Sequence, residues 1–586
     1  MPNLNQLPDI STLGSIETNF KVFAGPGAGK TTWLIKHLEK VLRNSNRLGK
    51  TGRIACITYT NVAADEIINR LNSDKSRFDI STIHSFLYRN IVKPFSYLIE
   101  YGDDNEILFN INNMDGHDEH IVQSDRLRRW IISIGELNGR NYNLYNSPEN
   151  KPNVVSELSS LDYAFVGQNV DLIIRQNRGA RLPKSNRELW LYKSKYWRDG
   201  IMHHEDVLYF SFLILSKSPR IIEFVRNKFP YIFIDEFQDT TELQTWIIEK
   251  ICETHTKVGI VGDLAQSIYK FTGAKRADFI NFKRNDIRDY KLSHNHRSTR
   301  NIIEFLNLLR PDINQTCDEN KEAGIQVGVL VGTIQSAKQW FETNIPDELL
   351  YILTRKNTSI SEINNQLGVV REDLLKKLYS NDFNSSRVKL IHAILVGYKF
   401  HQKGDLKNAM NEILRPLKRA SGTRVMKLTL RKIAIEIIDS LKVELNRNKS
   451  LLEFYSELKQ NISNLHGFEI GSAFRAGISR TFYESHSIND LLPFVKVDTK
   501  SDDLVRTIHS AKGTEFENTL IHFESIIEFR RYILNGADQI EAVEDDGRIY
   551  YVGCSRAMNR LYINIPEASQ DDIELILNMN MTYELV

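Results

Sequence analysis

Val22-Phe23-Ala24-Gly25-Pro26-Gly27-Ala28-Gly29-Lys30-Thr31-Thr32 decides how the rest of this chain is read. Phe20 to Ala24 is apolar apart from Lys21 and reads as a short buried strand. Small and turn-forming residues follow. Then Trp33, Leu34, His37, Leu38, Val41 and Leu42 recur at helical spacing. Strand, glycine-rich loop and helix in that order are what a phosphate-binding loop needs. Glycines let backbone N–H groups turn inward with no Cβ in the way, and the helix N-terminus adds partial positive charge. Lys30 is placed to reach terminal phosphates and Thr31 to hold Mg²⁺ through its hydroxyl. Ala24, Gly25, Pro26, Gly27, Ala28, Gly29 and Thr32 complete the cradle, with Ala24 where such loops usually begin on glycine.

A length of 586 residues predicts several domains, and 41% hydrophobic content is enough for large cores. The formal net charge is only +2, so any nucleic-acid surface has to be local. Cys56, Cys252, Cys317 and Cys554 are far apart, which argues against a zinc or iron–sulfur site and against a disulfide framework. Met1 to Ser11 lacks a basic-then-apolar signal pattern. Apolar runs such as Val207 to Leu215 are too short to span a bilayer. The expected compartment is therefore the cytoplasm, with no membrane partner.

Strand and helix alternate over residues 1–86, predicting an α/β domain with a parallel sheet. Residues 87–200 turn polar and Asn-rich and read as a helical insertion, after which 201–284 resume the first domain. A second α/β domain is expected over 285–370 and 501–586, with strands at Val327–Val331, Tyr351–Leu353, Leu504–Ile508 and Leu520–Phe523. Residues 371–500 read as a second helical insertion.

The partners of the loop set the chemistry. Tyr231 to Ile234 is an apolar strand that ends in Asp235-Glu236-Phe237-Gln238-Asp239. Asp235 at the strand end is expected to bind Mg²⁺, and Glu236 to act as general base on water. In Gly262-Asp263-Leu264-Ala265-Gln266-Ser267-Ile268-Tyr269-Lys270-Phe271, Gln266 can reach a γ-phosphate or the water, while Tyr269 and Phe271 offer faces for base stacking.

With these segments in order, the chain resembles superfamily 1 DNA helicases of the UvrD/Rep/PcrA type. Further matching segments are Thr58-Tyr59-Thr60-Asn61, Thr82-Ile83-His84, Asp206-Val207-Leu208, Asn295-His296-Arg297-Ser298, Thr354-Arg355-Lys356-Asn357, Thr507 to Phe516 and Tyr551 to Ala557. The resemblance implies two RecA-like domains with parallel sheets, each carrying a mainly helical insertion, and ATP with Mg²⁺ between them. It implies Arg297 and Arg556 as cationic forks on the γ-phosphate, Glu515 on the ribose and His296 on the base. It implies single-stranded or tailed duplex DNA along Tyr59, Thr60, Asn61, His84, Tyr269, Phe271, Arg355, Asn357 and His509, with 3′ to 5′ movement. The family has an adenine-reading glutamine some way before the loop; Gln6 is the nearby candidate here, but its context, Leu4-Asn5-Gln6-Leu7-Pro8, departs from the family pattern. Histidine replaces the family tyrosine at 296, Thr272 an arginine, and Ser555 a threonine. The short second insertion and the few residues after 563 resemble helicase-like subunits of Gabija-type defence systems, which implies a separate nuclease partner. A DNA-stimulated ATPase that senses nucleic acid without unwinding is the alternative.

Two basic stretches are further candidates. Residues 173–198 carry eight Lys/Arg against one acid, with Trp190, Tyr192, Tyr196 and Trp197 interleaved, which fits a DNA-tracking face. Lys399 to Lys432 is the second.

Overall fold

A computed structural model describes the chain except for residues 1–4, 8–12, 103–105, 115, 121, 138–142, 144, 146, 148, 176–185, 271–272, 283, 285, 368–373, 383, 422–426, 448, 471–473, 475–476, 496–503 and 536–545. The first strands are β1 (Asn5–Gln6), β2 (Asn19–Ala24), β3 (Ile54–Thr58) and β4 (Phe78–Thr82). A hairpin of β5 (Leu161–Val166) and β6 (Asn169–Ile174) follows, then β7 (Tyr231–Ile234), β8 (Lys257–Gly262) and β9 (Ile287–Leu292). The second half supplies β10 (Gly328–Val331), β11 (Leu350–Thr354), β12 (Val505–Thr507), β13 (Phe516–His522), β14 (Ala557–Ile565) and β15 (Thr582–Leu585).

Seven strands pair in the order β1-β9-β2-β8-β7-β3-β4 and six in the order β12-β11-β13-β14-β10-β15, parallel throughout. Strands buried on both faces need apolar side chains in unbroken runs. Ile54–Thr58 and Tyr231–Ile234 have that composition and are buried at every position. These are the two RecA-like sheets. Because every strand of the first sheet runs the same way, the loops after β2, β3, β7, β8 and β9 open at one edge, where parallel sheets bind ligands.

One expectation needs correction. The first sheet continues to Leu292 instead of ending near residue 285, because Ile287–Leu292 bonds β2 on one side and β1 on the other. Within the mainly helical insertion after residue 87, β5 and β6 form an antiparallel hairpin turning at Gly167, φ 67°.

The chain divides into two compact units, Met1–Leu367 with Leu504–Val586, and Gly368–Asp503. The second unit is helical and packs Leu378, Ile391, Ile394, Leu417, Phe454 and Tyr483 into its own core. Its Arg387 pairs with Asp382 and lies 3.8 Å from the centre of the Phe474 ring. Among the described residues no helix is long and apolar enough to cross a membrane.

The Asn186–Trp197 helix overturns one reading of the 173–198 stretch. Leu189, Tyr192, Lys193, Tyr196 and Trp197 face the core, so these aromatics are packing residues, not stacking platforms. Arg178, Arg181 and Lys184 lie outside the described residues. Lys193 is fully buried, with its ammonium 2.7 Å from Asp206, 3.1 Å from Glu205 and 3.1 Å from His203 Nδ1. His203, Glu205 and Asp206 have metal-ligand spacing, but the lysine is already their cation. Burial pushes the Glu205 carboxyl up to about 7, while Lys193 holds Asp206 ionised against burial. Removing one partner strands a buried charge, typically at ~3–5 kcal/mol. Lys193→Ala is therefore expected to lower stability by ~3–5 kcal/mol, read as a fall in the urea midpoint; an unchanged midpoint would refute it.

Candidate nucleotide and nucleic-acid site

The loop after β2 is shaped by backbone that only glycine adopts easily. Gly27 has φ 68° and Gly29 φ 73°. A Cβ on Gly27 would strike the Asn295 side chain and Arg297 Cβ. Gly29 caps the Lys30–Asn44 helix without any side-chain acceptor, which leaves the first-turn N–H groups available to an anion. Trp33, Leu34, His37, Leu38 and Val41 anchor the other face of this helix. The His37 ring stacks on Trp33 at 5.3 Å, and burial pushes its pKa down to about 3, so it is neutral packing. Ala24 is buried as the last residue of β2. Pro26 C=O accepts from Gln315 Nε2 at 2.7 Å, and Gly27 C=O accepts from His296 N–H at 2.9 Å. Thr31 is half-buried, and Thr32 Oγ1 accepts from Arg70.

The acids stand at the end of β7. Asp235 donates its N–H to Ile57 C=O at 2.8 Å, which ties it to β3. Glu236 takes up φ 53°, rare for a residue with a Cβ. Its carboxylate lies 3.8 Å from Lys30 Nζ. Burial works against the charge on Glu236, but Lys30 and then Lys512 hold it down at about 2. Burial and the neighbouring Glu236 push Asp235 up to about 7. Oxygen donors of this kind, a Thr31 hydroxyl and a carboxylate that burial strains toward neutrality, fit a hard divalent cation. The loop, its uncapped helix and Lys30 fit a polyphosphate.

The second sheet closes this site from the other side. Arg556 is buried, and its Nη2 donates to Gln266 Oε1 at 3.1 Å. Gln266 Nε2 donates in turn to Asp263 at 2.7 Å, and Asp263 also receives Arg310. Burial and then Arg297 bear down on the charge of Arg556. Arg297 lies against the loop at Gly27, while its guanidinium donates to Glu515 at 2.8 Å and to Ser555 C=O at 2.9 Å. Glu515, expected on a ribose, is thus engaged by Arg297. His296 is exposed, with its ring 4.7 Å from that of His294.

Some of the expected nucleic-acid residues come together. Tyr59 and Tyr269 stack at 5.0 Å with 17° between rings, and His509 from the second sheet is 6.3 Å from Tyr269. Lys512 reaches over Tyr269 at 4.6 Å and also pairs with Asp239 and with Gln266 C=O. Thr60 caps the Asn61–Arg70 helix through Ala63 N–H, and Asn61 is exposed beside it. Arg355 is held by Asp546 and Glu528, and Asn357 is exposed at the start of its helix. His84 stacks on His204 at 5.5 Å, and burial pushes its pKa down to about 3. Phe271 lies outside the described residues, as does Thr272. For Gln6 only the backbone is described, paired with Lys291 of β9.

Sequence reading passed over Lys512, Asp239, Asp263, Arg310 and Gln315. The first three stand inside quoted motifs and could have been taken from there. Arg310 and Gln315 stand in no motif.

Residues 8–286 match the UvrD/REP helicase N-terminal domain. Several relatives extend the likeness over more of the chain. ATP-dependent DNA helicase srs2 of Schizosaccharomyces pombe is 28% identical over 343 residues, 55% of this chain and 36% of that protein. ATP-dependent DNA helicase PcrA of Bacillus subtilis is 22% identical over 635 residues, 92% of this chain and 80% of PcrA. Gabija protein GajB of Bacillus cereus is 22% identical over 646 residues, 92% of each chain.

Proposed function

We propose that this chain is an ATP-driven translocase and helicase that moves 3′ to 5′ on single-stranded DNA. The observation that carries the reading is the contact of Arg556, from the second sheet, with Gln266 of the first, beside Glu236 and Lys30. Hydrolysis at such a site needs both sheets together, which is how a chemical step becomes a movement.

Lys30 and the loop N–H groups hold the phosphates, while Thr31 and Asp235 hold Mg²⁺. When bound, the cation neutralises charge that develops on the phosphate oxygens. Glu236, ionised and close to Lys30, takes the proton from the attacking water. Gln266 orients that water, and Arg556 steadies the transferring group. Arg297 joins it by leaving Glu515, which frees that carboxylate for the ribose. Arginines in this role are worth ~10³–10⁵ in rate. His296 offers the base a smaller face than the tyrosine of the family.

Tyr59, Tyr269 and His509 form the stacking track, with Thr60, Asn61, His84, Arg355 and Asn357 along it. Lys512 touches both the track and the acids, so a base arriving on Tyr269 is felt at Asp239. Tyr269→Ala is expected to weaken single-stranded DNA binding by ~1–3 kcal/mol with an unchanged salt slope. Fluorescence anisotropy across a salt series measures both, and wild-type affinity would remove Tyr269 from the track.

The likeness to GajB over nearly the whole chain supports a defence role beside a separate nuclease subunit. A second reading, a DNA-sensing ATPase that regulates such a partner without unwinding, is favoured by the departures from the family pattern at His296 and Thr272. ATPase and strand-displacement assays on 3′- and 5′-tailed duplexes decide. Stimulated ATPase with displacement from 3′ tails is the expected result. Stimulation without displacement supports the sensor, and no stimulation by DNA refutes both.

A further inference from the structure

Gln315 sits in the segment that follows the Arg300–Leu309 helix, 289 residues from the carbonyl it touches. Its side chain is buried, with 4% of the residue exposed. Its backbone is clamped by one side chain, since Asn307 accepts from Gln315 N–H at 2.8 Å and donates to Gln315 C=O at 2.9 Å. The next residue, Thr316, bonds Ser293 and Asn295 through its backbone, fixing the segment to the end of β9. From this rigid base the carboxamide crosses to the glycine-rich loop. Nε2 donates to Pro26 C=O at 2.7 Å, and Oε1 faces Asn295 Nδ2 at 3.4 Å. The amide also fills the space a Cβ on Gly25 would need.

A trans peptide is planar, and its C=O and N–H point opposite ways. Holding Pro26 C=O outward therefore turns the Gly27 N–H toward the inside of the loop. This peptide turns about ψ of Pro26 and φ of Gly27, and glycine at 27 leaves that φ permissive, so a contact from outside the loop is what fixes it. We propose that Gln315 is a positioning residue of the phosphate site, which sets the Pro26–Gly27 peptide so that the Gly27 N–H is aimed before the nucleotide arrives. The proposal rests on the reading of residues 24–32 as a phosphate-binding loop.

The loop is the same in ground and transition states, so its loss is one of uniform binding, which raises KM and spares kcat. Gln315→Met keeps length and volume and removes the donor, and Gln315→Glu keeps the shape and sets a carboxylate against a carbonyl. Both are measured by binding of N-methylanthraniloyl-ADP and by ATPase kinetics, with Lys30→Ala alongside and thermal melting of each variant without nucleotide. Gln315→Met is expected to raise Kd and KM about three- to tenfold, with kcat within about twofold and melting lowered by no more than the loss of one buried hydrogen bond allows. Gln315→Glu is expected to raise them further, and stands in if the methionine variant does not fold. Wild-type Kd in both, with binding abolished by Lys30→Ala, overturns the role of Gln315 and leaves the loop reading intact. Binding that survives Lys30→Ala overturns the loop reading itself. A fall in kcat with unchanged Kd also overturns the proposal, because it would put Gln315 in the chemical step.

Discussion

Arg556→Ala is expected to lower DNA-stimulated ATP turnover by about 10³-fold or more, with nucleotide affinity within about threefold of wild type. The guanidinium is held by its own neighbourhood, with Nε on Val552 C=O at 3.0 Å and Nη2 on Ser555 Oγ at 2.9 Å, and it crosses to Gln266. A cation fixed in this way needs no reorganisation when charge builds up in the transition state. Arg556→Lys should not rescue, because an ammonium cannot make the bonds of a planar fork to Val552, Ser555 and Gln266 together. Phosphate-release kinetics under saturating ATP and DNA report the effect. Turnover within about threefold of wild type would remove Arg556 from the chemical step.

Glu236→Gln is expected to cut turnover by about 10²–10⁴-fold while nucleotide binding persists. The chain holds residue 236 in left-handed backbone, φ 53°, against the preference of a side chain with a Cβ. Such strain persists where surrounding structure over-determines it. Here Gln238 binds the carboxylate and Lys30 lies 3.8 Å away. The glutamine variant keeps the volume and loses the proton acceptor. Equilibrium binding of a fluorescent nucleotide, set beside turnover, separates the two. Loss of binding with normal turnover per bound nucleotide would assign Glu236 to holding the nucleotide instead.

The sheets were readable where strands are almost wholly apolar, as in Ile54–Thr58 and Tyr231–Ile234. They were not readable at Ile287–Leu292, whose sequence IRDYKL alternates charge with apolar residues because its place near the sheet edge leaves it partly exposed. Residues 189, 192, 193, 196 and 197 have the spacing of a buried helical face. Charge count drew attention away from that spacing, and only Asp206 and Glu205, brought in by another helix, make a buried Lys193 tolerable. The site itself was legible wherever a motif carries its own geometry: the glycines, Lys30, the strand-end acids, Gln266 and Arg556. The Arg297–Glu515 pair was not, since each residue alone suggests a separate ligand. Gln315 was invisible because its contact depends on folding that returns a motif-free segment to the loop.

The most direct test is a crystal structure of the chain with DNA, ADP, Mg²⁺ and aluminium fluoride. The fluoride group should lie over Lys30 with nitrogens of both Arg297 and Arg556 hydrogen-bonded to it, and Arg297 should have left Glu515. A complex with fluoride held by the first sheet alone, Arg297 still on Glu515 and no Arg556 nitrogen within hydrogen-bond reach of the fluoride, would contradict a site completed by the second sheet.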